Sequence, residues 1–129
     1  MTHNNNLSVQ ERFVAAVFAG DGDTIRALAH PDFELHEGSG LPFAGVYRGA
    51  DGFLAFLAVF GETFDIEILA PVRTYQSEDP DFLAFEFNLR AVLRATGALF
   101  ESTLIESWTF KDGKVLQIRP HYFNSPLKS

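Results

Sequence analysis

Ala98-Leu99-Phe100-Glu101-Ser102-Thr103-Leu104-Ile105-Glu106-Ser107-Trp108-Thr109-Phe110 reads as one long β-strand with two unequal faces. Side chains alternate sides along a strand, so Ala98, Phe100, Leu104, Trp108 and Phe110 share the apolar row and Glu101, Thr103, Ser107 and Thr109 the wet one. Glu106 falls in the apolar row. An ionised carboxylate there carries a desolvation cost that it escapes by pairing with a cation, by holding a proton, or by facing a wet cavity. The last two are the devices of acid/base sites. Arg48, Arg90 and Arg119 are the cations that would make Glu106 a structural ion pair instead.

Lys114–Phe123 and Phe82–Ala95 repeat the same period on either side of it. Asp112-Gly113 and Thr96-Gly97 are close to two-residue hairpin loops, which predicts an antiparallel meander of three strands. In the Phe82 strand, Leu83, Phe85, Phe87, Leu89 and Leu93 oppose Glu86, Asn88, Arg90 and Arg94, so one sheet face is core and the other is wet or an interface. Phe64–Leu69 and Val72–Gln76 read as two further strands.

The first half has a helical period. Leu7–Ala19 carries the stripe Val9, Phe13, Ala16 and Val17, with Ser8 and Glu11 at capping-box spacing and Gly20 at the exit. Asp23 is the expected cap of a second helix ending near His30, because Pro31 disfavours helix just before it. Phe33, Leu35 and Glu37 alternate as a short strand, and Gly38–Gly49 reads as a loop. Asp51–Phe60 suits helix or strand by pattern, and its Leu, Ala and Phe content favours a buried third helix. The resulting expectation is an α+β domain: a curved antiparallel sheet covered on one face by three N-terminal helices.

With 129 residues, 47% hydrophobic, the chain fits a single domain over residues 1–129, with 1–6 as a flexible tail. Fourteen Phe give the interior aromatic bulk. The longest apolar run, Phe53–Phe60, is far short of the ~20 residues of a membrane span, and Thr2–Asn6 has no signal-peptide character. A cytoplasmic protein is expected, with no membrane partner. No cysteine means no thiol nucleophile and no thiolate metal site, and no His-x-x-x-His spacing suggests a metal. A net charge of -7 without a basic cluster argues against nucleic acid. No cofactor is expected.

Glu37 ends the apolar row of its strand as Glu106 interrupts that of another, so two carboxylates can point into one interior, unless Glu37 turns to water before Gly38. Such a pair suits proton transfer, since burial and mutual repulsion keep one member protonated. His36 and His121 fall on the opposite faces. Gly38-Ser39-Gly40 has neither the spacing nor the context of a nucleophile elbow. Tyr122 shares its face with Leu116 and Ile118 and is either a ligand donor or a core tyrosine bonded to backbone.

Phe18-Ala19-Gly20-Asp21, Leu41-Pro42-Phe43 with Gly45-Val46-Tyr47-Arg48-Gly49, and Trp108-Thr109-Phe110-Lys111-Asp112-Gly113-Lys114 resemble, in order and spacing, the nuclear transport factor 2-like fold and its SnoaL-like and ketosteroid-isomerase-like enzymes. The resemblance implies a cone enclosing an apolar small-molecule pocket, commonly in a homodimer. Phe13, Phe56, Phe85, Leu104, Trp108 and Tyr122 are then the expected substrate-binding side chains. Alignment with ketosteroid isomerase puts Glu37 on the general base and Glu106 on the protonated acid of the oxyanion hole, while Phe13 stands where that enzyme has a tyrosine donor. Gln76-Ser77-Glu78-Asp79-Pro80-Asp81-Phe82 and His121-Tyr122-Phe123-Asn124-Ser125-Pro126 also resemble the phenazine-biosynthesis A/B branch, which usually carries a histidine where Phe56 stands. The resemblance implies an isomerase or cyclase acting on an apolar cyclic ketone, the alternative being a non-catalytic ligand-binding or dimerisation domain.

Overall fold

Asp112 (φ 55°) and Gly113 (φ 75°) both take left-handed backbone. Two such residues in a row make the tight turn whose twist matches a hairpin. That turn joins β5 (Leu99–Lys111) to β6 (Lys114–Tyr122). The structure is a computed structural model that describes residues 5–124. Its remaining elements are α1 (Asn5–Ala19), α2 (Gly22–Leu28), β1 (Ala29–Glu37), β2 (Gly45–Arg48), α3 (Gly49–Thr63), β3 (Phe64–Gln76) and β4 (Phe82–Leu93). The α+β class with three helices on a curved sheet is as the pattern predicted.

The sheet runs β2-β1-β6-β5-β4-β3. It is antiparallel except where β1 lies parallel to β6. β4 and β5 keep an unbroken register from Phe82↔Thr109 to Val92↔Leu99, which fixes the alternation read from the sequence. Their connection is wider than a two-residue loop: Leu93 and Ala98 pair, and Gly97 (φ 75°) donates back to the Leu93 carbonyl at 2.7 Å.

Several boundaries moved for identifiable reasons. The helix α1 starts at Asn5 rather than Leu7, so Ser8 lies inside it and caps nothing. Buried Asn6, assigned to a tail by the sequence, donates to the Pro80 carbonyl at 2.8 Å and to Asp81 at 2.9 Å. The proposed tail residues 1–4 lie outside the described residues. Asp21, not Asp23, caps α2, accepting from Thr24 N at 3.1 Å. The helix ends at Leu28, two residues earlier than the position of Pro31 suggested.

The expected loop from Gly38 to Gly49 contains strand β2, paired Glu34↔Arg48 to Glu37↔Gly45. The two strands foreseen between Phe64 and Gln76 are one, with register shifts between Ile66 and Ile68 and between Pro71 and Arg73. Such bulges bend a strand, and as an edge strand β3 accommodates Pro71, which has no N–H to give. The core lies between helices and sheet, built around Phe13, Phe33, Phe43, Phe64 and Trp108.

Candidate active site

The register places the two carboxylates. In β5, Glu106 pairs with Pro120 of β6 on one side and with Phe85 of β4 on the other. β1 pairs with β6 at Leu35↔Ile118, and in parallel strands two residues further on Glu37 and Pro120 point the same way. Glu37 and Glu106 thus flank Pro120 on the helix-facing side, their backbones about 10 Å apart across two strand spacings. Both line one cavity of about 340 Å³. Its volume is at the lower end of ligand sites.

The walls are almost wholly apolar. Phe13, Val14, Val17 and Phe18 of α1 and Phe53, Phe56, Leu57 and Phe60 of α3 close it from the helix side. Leu35, Leu69, Phe87, Leu104, Trp108, Ile118 and Tyr122 supply the sheet side. Five of the six expected binding residues, Phe13, Phe56, Leu104, Trp108 and Tyr122, line the cavity. Phe85 does not: it is buried beside it, its ring set edge-on against Trp108 at 5.4 Å, and Phe87 takes its place. The alternation that found Phe85 also covers Phe87, but cannot say which of two same-face residues reaches the void. On β6 the row shifts as well. A bulge between the Thr109 and Phe110 pairings lets fully buried Val115, rather than Leu116, join Ile118.

Among the described residues neither carboxylate has a cation. Arg48 pairs with Glu34, and Arg90 with Glu67 and Glu101, each at 2.9 Å, on the other face. Among the described residues Arg119 forms no ion pair with Glu106 either. Glu37 is only 6% exposed, and its buried Oε1 has no hydrogen-bond partner. Burial, and then the neighbouring charge of Glu106, push its carboxyl up to about 9. Burial also raises Glu106, to about 7, while the Trp108 indole, donating from Nε1 to Oε1 at 2.9 Å, pulls it back down. The indole favours the charged form of Glu106, Glu37 has no such donor, and a charge on Glu106 opposes ionisation of Glu37.

Tyr122 sits within the field of both carboxylates, and its hydroxyl is raised well above the usual range by burial and by those two charges. It makes no hydrogen bond among the described residues, so the reading as a core tyrosine tied to backbone does not hold. His36 faces away from the cavity, 2.8 Å from Glu34, and His121 is exposed. Among the described residues no helix is long and apolar enough to cross a membrane.

The fold has many solved counterparts. An NTF2-like protein from Burkholderia thailandensis shares 22% identity at a TM-score of 0.80, over 95% of this chain and 92% of its own. A candidate SnoaL-like polyketide cyclase from Jannaschia shares 18% at 0.76, over 92% and 85%. A protein of ketosteroid isomerase-like fold from Catenulispora acidiphila, in complex with trimethylamine, shares 10% at 0.71, over 88% and 84%. Among curated proteins none matches this sequence. The profile of the SnoaL-like domain matches residues 10–118, from the first helix into the last strand, and on that match the chain belongs to the SnoaL-like domain family.

Proposed function

We propose that the protein is a cofactor-independent acid/base enzyme, an isomerase or cyclase acting on a small apolar cyclic ketone. The observation that carries the reading is a pair of carboxylates without a counter-ion in one apolar cavity, one of them buried with an unpartnered oxygen. A structural role would call for cations or donors around both groups, since burying an unpaired charge is costly. A cavity that keeps one shared proton is suited to move it.

Glu106 acts as the base. Near neutral pH it is partly ionised, which matches a base to its working pH. Its carboxylate takes the proton from the carbon beside the ketone, the C–H electron pair moves into a C=C bond, and the carbonyl π pair settles on oxygen. Neutral Glu37 and the free hydroxyl of Tyr122 donate hydrogen bonds to that oxygen. Tyr122 thereby supplies from β6 the donor that Phe13 lacks on α1. Return of the proton at a different carbon gives isomerisation, and attack of the enolate carbon on a second carbonyl gives ring closure.

The test is exchange of the α-hydrogens of 2-tetralone in D2O, followed by proton NMR. Exchange above the buffer rate that disappears in Glu106→Gln supports the reading. Binding of the ketone without exchange would instead make this a ligand-binding domain.

A second reading, of assembly, has its own observation. The outer face of β3, β4 and β5 exposes Ile68, Val72, Tyr75 and Ile105. Beside them, a depression of about 700 Å³ is lined by Asn88, Arg90, Glu101 and Phe123. We propose that this face pairs with a second copy, giving a homodimer.

A further inference from the structure

A second cavity of about 400 Å³ runs beside the first, between α1 and the bulged strand β3. Val14, Phe18, Leu69 and Phe87 line both. Phe18, at the junction, is 61% exposed although it is a large aromatic side chain. One helical turn back from Phe13, Gln10 lines the groove while Phe13 lines the inner cavity. Gln10 is 7% exposed, yet its side-chain amide has no hydrogen-bond partner among the described residues. The residue's carbon stem is buried while its unpaired amide atoms reach the groove, so both donors and the acceptor are open to a ligand there.

We infer that this groove is a second substrate subsite, which takes an uncharged hydrogen-bonding arm of the ketone bound in the inner cavity, with Gln10 as its recognition residue. The inference rests on the proposed reading of that cavity. The inner volume accommodates a small ring system, and the groove lies across the shared side chains Val14, Phe18, Leu69 and Phe87, so a longer molecule would reach it past the exposed Phe18 ring. Charge decides against an acidic arm. Arg73, the groove's cation, is paired with Glu86 at 3.4 Å, and Glu11 adds an unpaired acid at the rim. A cationic arm would leave the Gln10 donors unused. A hydroxyl or carboxamide satisfies them and the acceptor alike.

The chain's one tryptophan, Trp108, lines the inner cavity, so its fluorescence reports occupancy directly. Two probes are titrated against the full chain: 2-tetralone, and 2-tetralone bearing on its aromatic ring a four-carbon chain that ends in a primary carboxamide. The armed ketone should bind wild type about three- to tenfold more tightly, the worth of one or two neutral hydrogen bonds. In Gln10→Leu, which keeps the volume and removes the amide, the ratio should fall to about one. In Thr74→Phe, an exposed position whose new ring fills the groove, it should fall below one.

Equal affinities in wild type, or a preference that survives both variants, would overturn the subsite while leaving the inner cavity intact. Failure of either ketone to quench Trp108 would overturn the cavity reading and the subsite with it.

Discussion

Trp108 donates its indole hydrogen to Glu106, two residues back on the same face of β5, at 2.9 Å. The bond ranks two otherwise similar acids. Glu106 has a donor for its charge, and Glu37 has none for its buried oxygen, so burial weighs more heavily on the charged form of Glu37. The consequences can be measured.

Stability should fall as pH rises. An unfolded glutamate titrates near 4.5, whereas in the folded chain Glu106 and Glu37 are raised to about 7 and about 9. Groups raised in this way leave stability intact below their unfolded pKa and remove it as pH climbs through the folded one. The loss accrues between about pH 4.5 and 9, the larger part of it from Glu37, whose carboxyl is raised further. Urea unfolding at about pH 5.5 and 8.5 should show wild type weaker at the higher pH, and Glu37→Gln should lessen the drop. A drop of the same size in Glu37→Gln would mean that Glu37 is ionised or solvated.

Glu106→Gln separates the catalytic reading from the structural one by its sign. The amide oxygen still accepts from Trp108, and the burial cost of the charge disappears, so at pH 7 stability should hold or rise by up to about 1 kcal/mol. Exchange activity should drop about 10²- to 10⁴-fold. A stability loss of 3 to 5 kcal/mol, the cost of orphaning a buried partner, would point to an ion pair.

Tyr122→Phe removes a hydroxyl that has no hydrogen-bond partner among the described residues. Its unfolding free energy should stay within about 0.5 kcal/mol of wild type. If Tyr122 stabilises the developing oxyanion, kcat should fall about a hundredfold or more while KM changes little. Unaltered kcat would remove Tyr122 from the mechanism.

Light scattering at micromolar concentration should give twice the chain mass. Replacing Ile105 on the outer face with Lys should return monomer, since a charge there is desolvated only in the dimer. Monomer in wild type would count against the paired-copy reading.

How much the sequence disclosed follows from where each signal lies. β5 was legible because one face is core, so Glu106 stood out against Leu104 and Trp108. The Asp112-Gly113 turn carried its own backbone requirement. By contrast β2 is short and mostly exposed, so it showed no alternation, and its pairing with β1 comes from tertiary contact. Strand β3 looked broken at Pro71, because an edge position that needs no N–H leaves no trace in a sequence. The start of α1 depended on Asn6 reaching Pro80 and Asp81, far along the chain. Alternation found both carboxylates, but which one ionises first depends on the direction of a single indole N–H. The amide of Gln10 was missed altogether, since one glutamine on a helical stripe reads as surface.

The parallel seam between β1 and β6 bears on when this chemistry comes into being. Leu35 and Ile118 meet only after nearly the whole intervening chain has been made, and such distant pairings form slowly because their loop closure comes before any reward. Glu37 lies on one side of that seam, and Glu106 reaches it only through β6. Until the last strand docks, the two acids have no fixed relation, each is free to ionise in water, and no proton is shared. On the proposed reading a partly folded or nascent chain is therefore inactive, since the two carboxyls are brought together only in the cooperative step that completes the sheet.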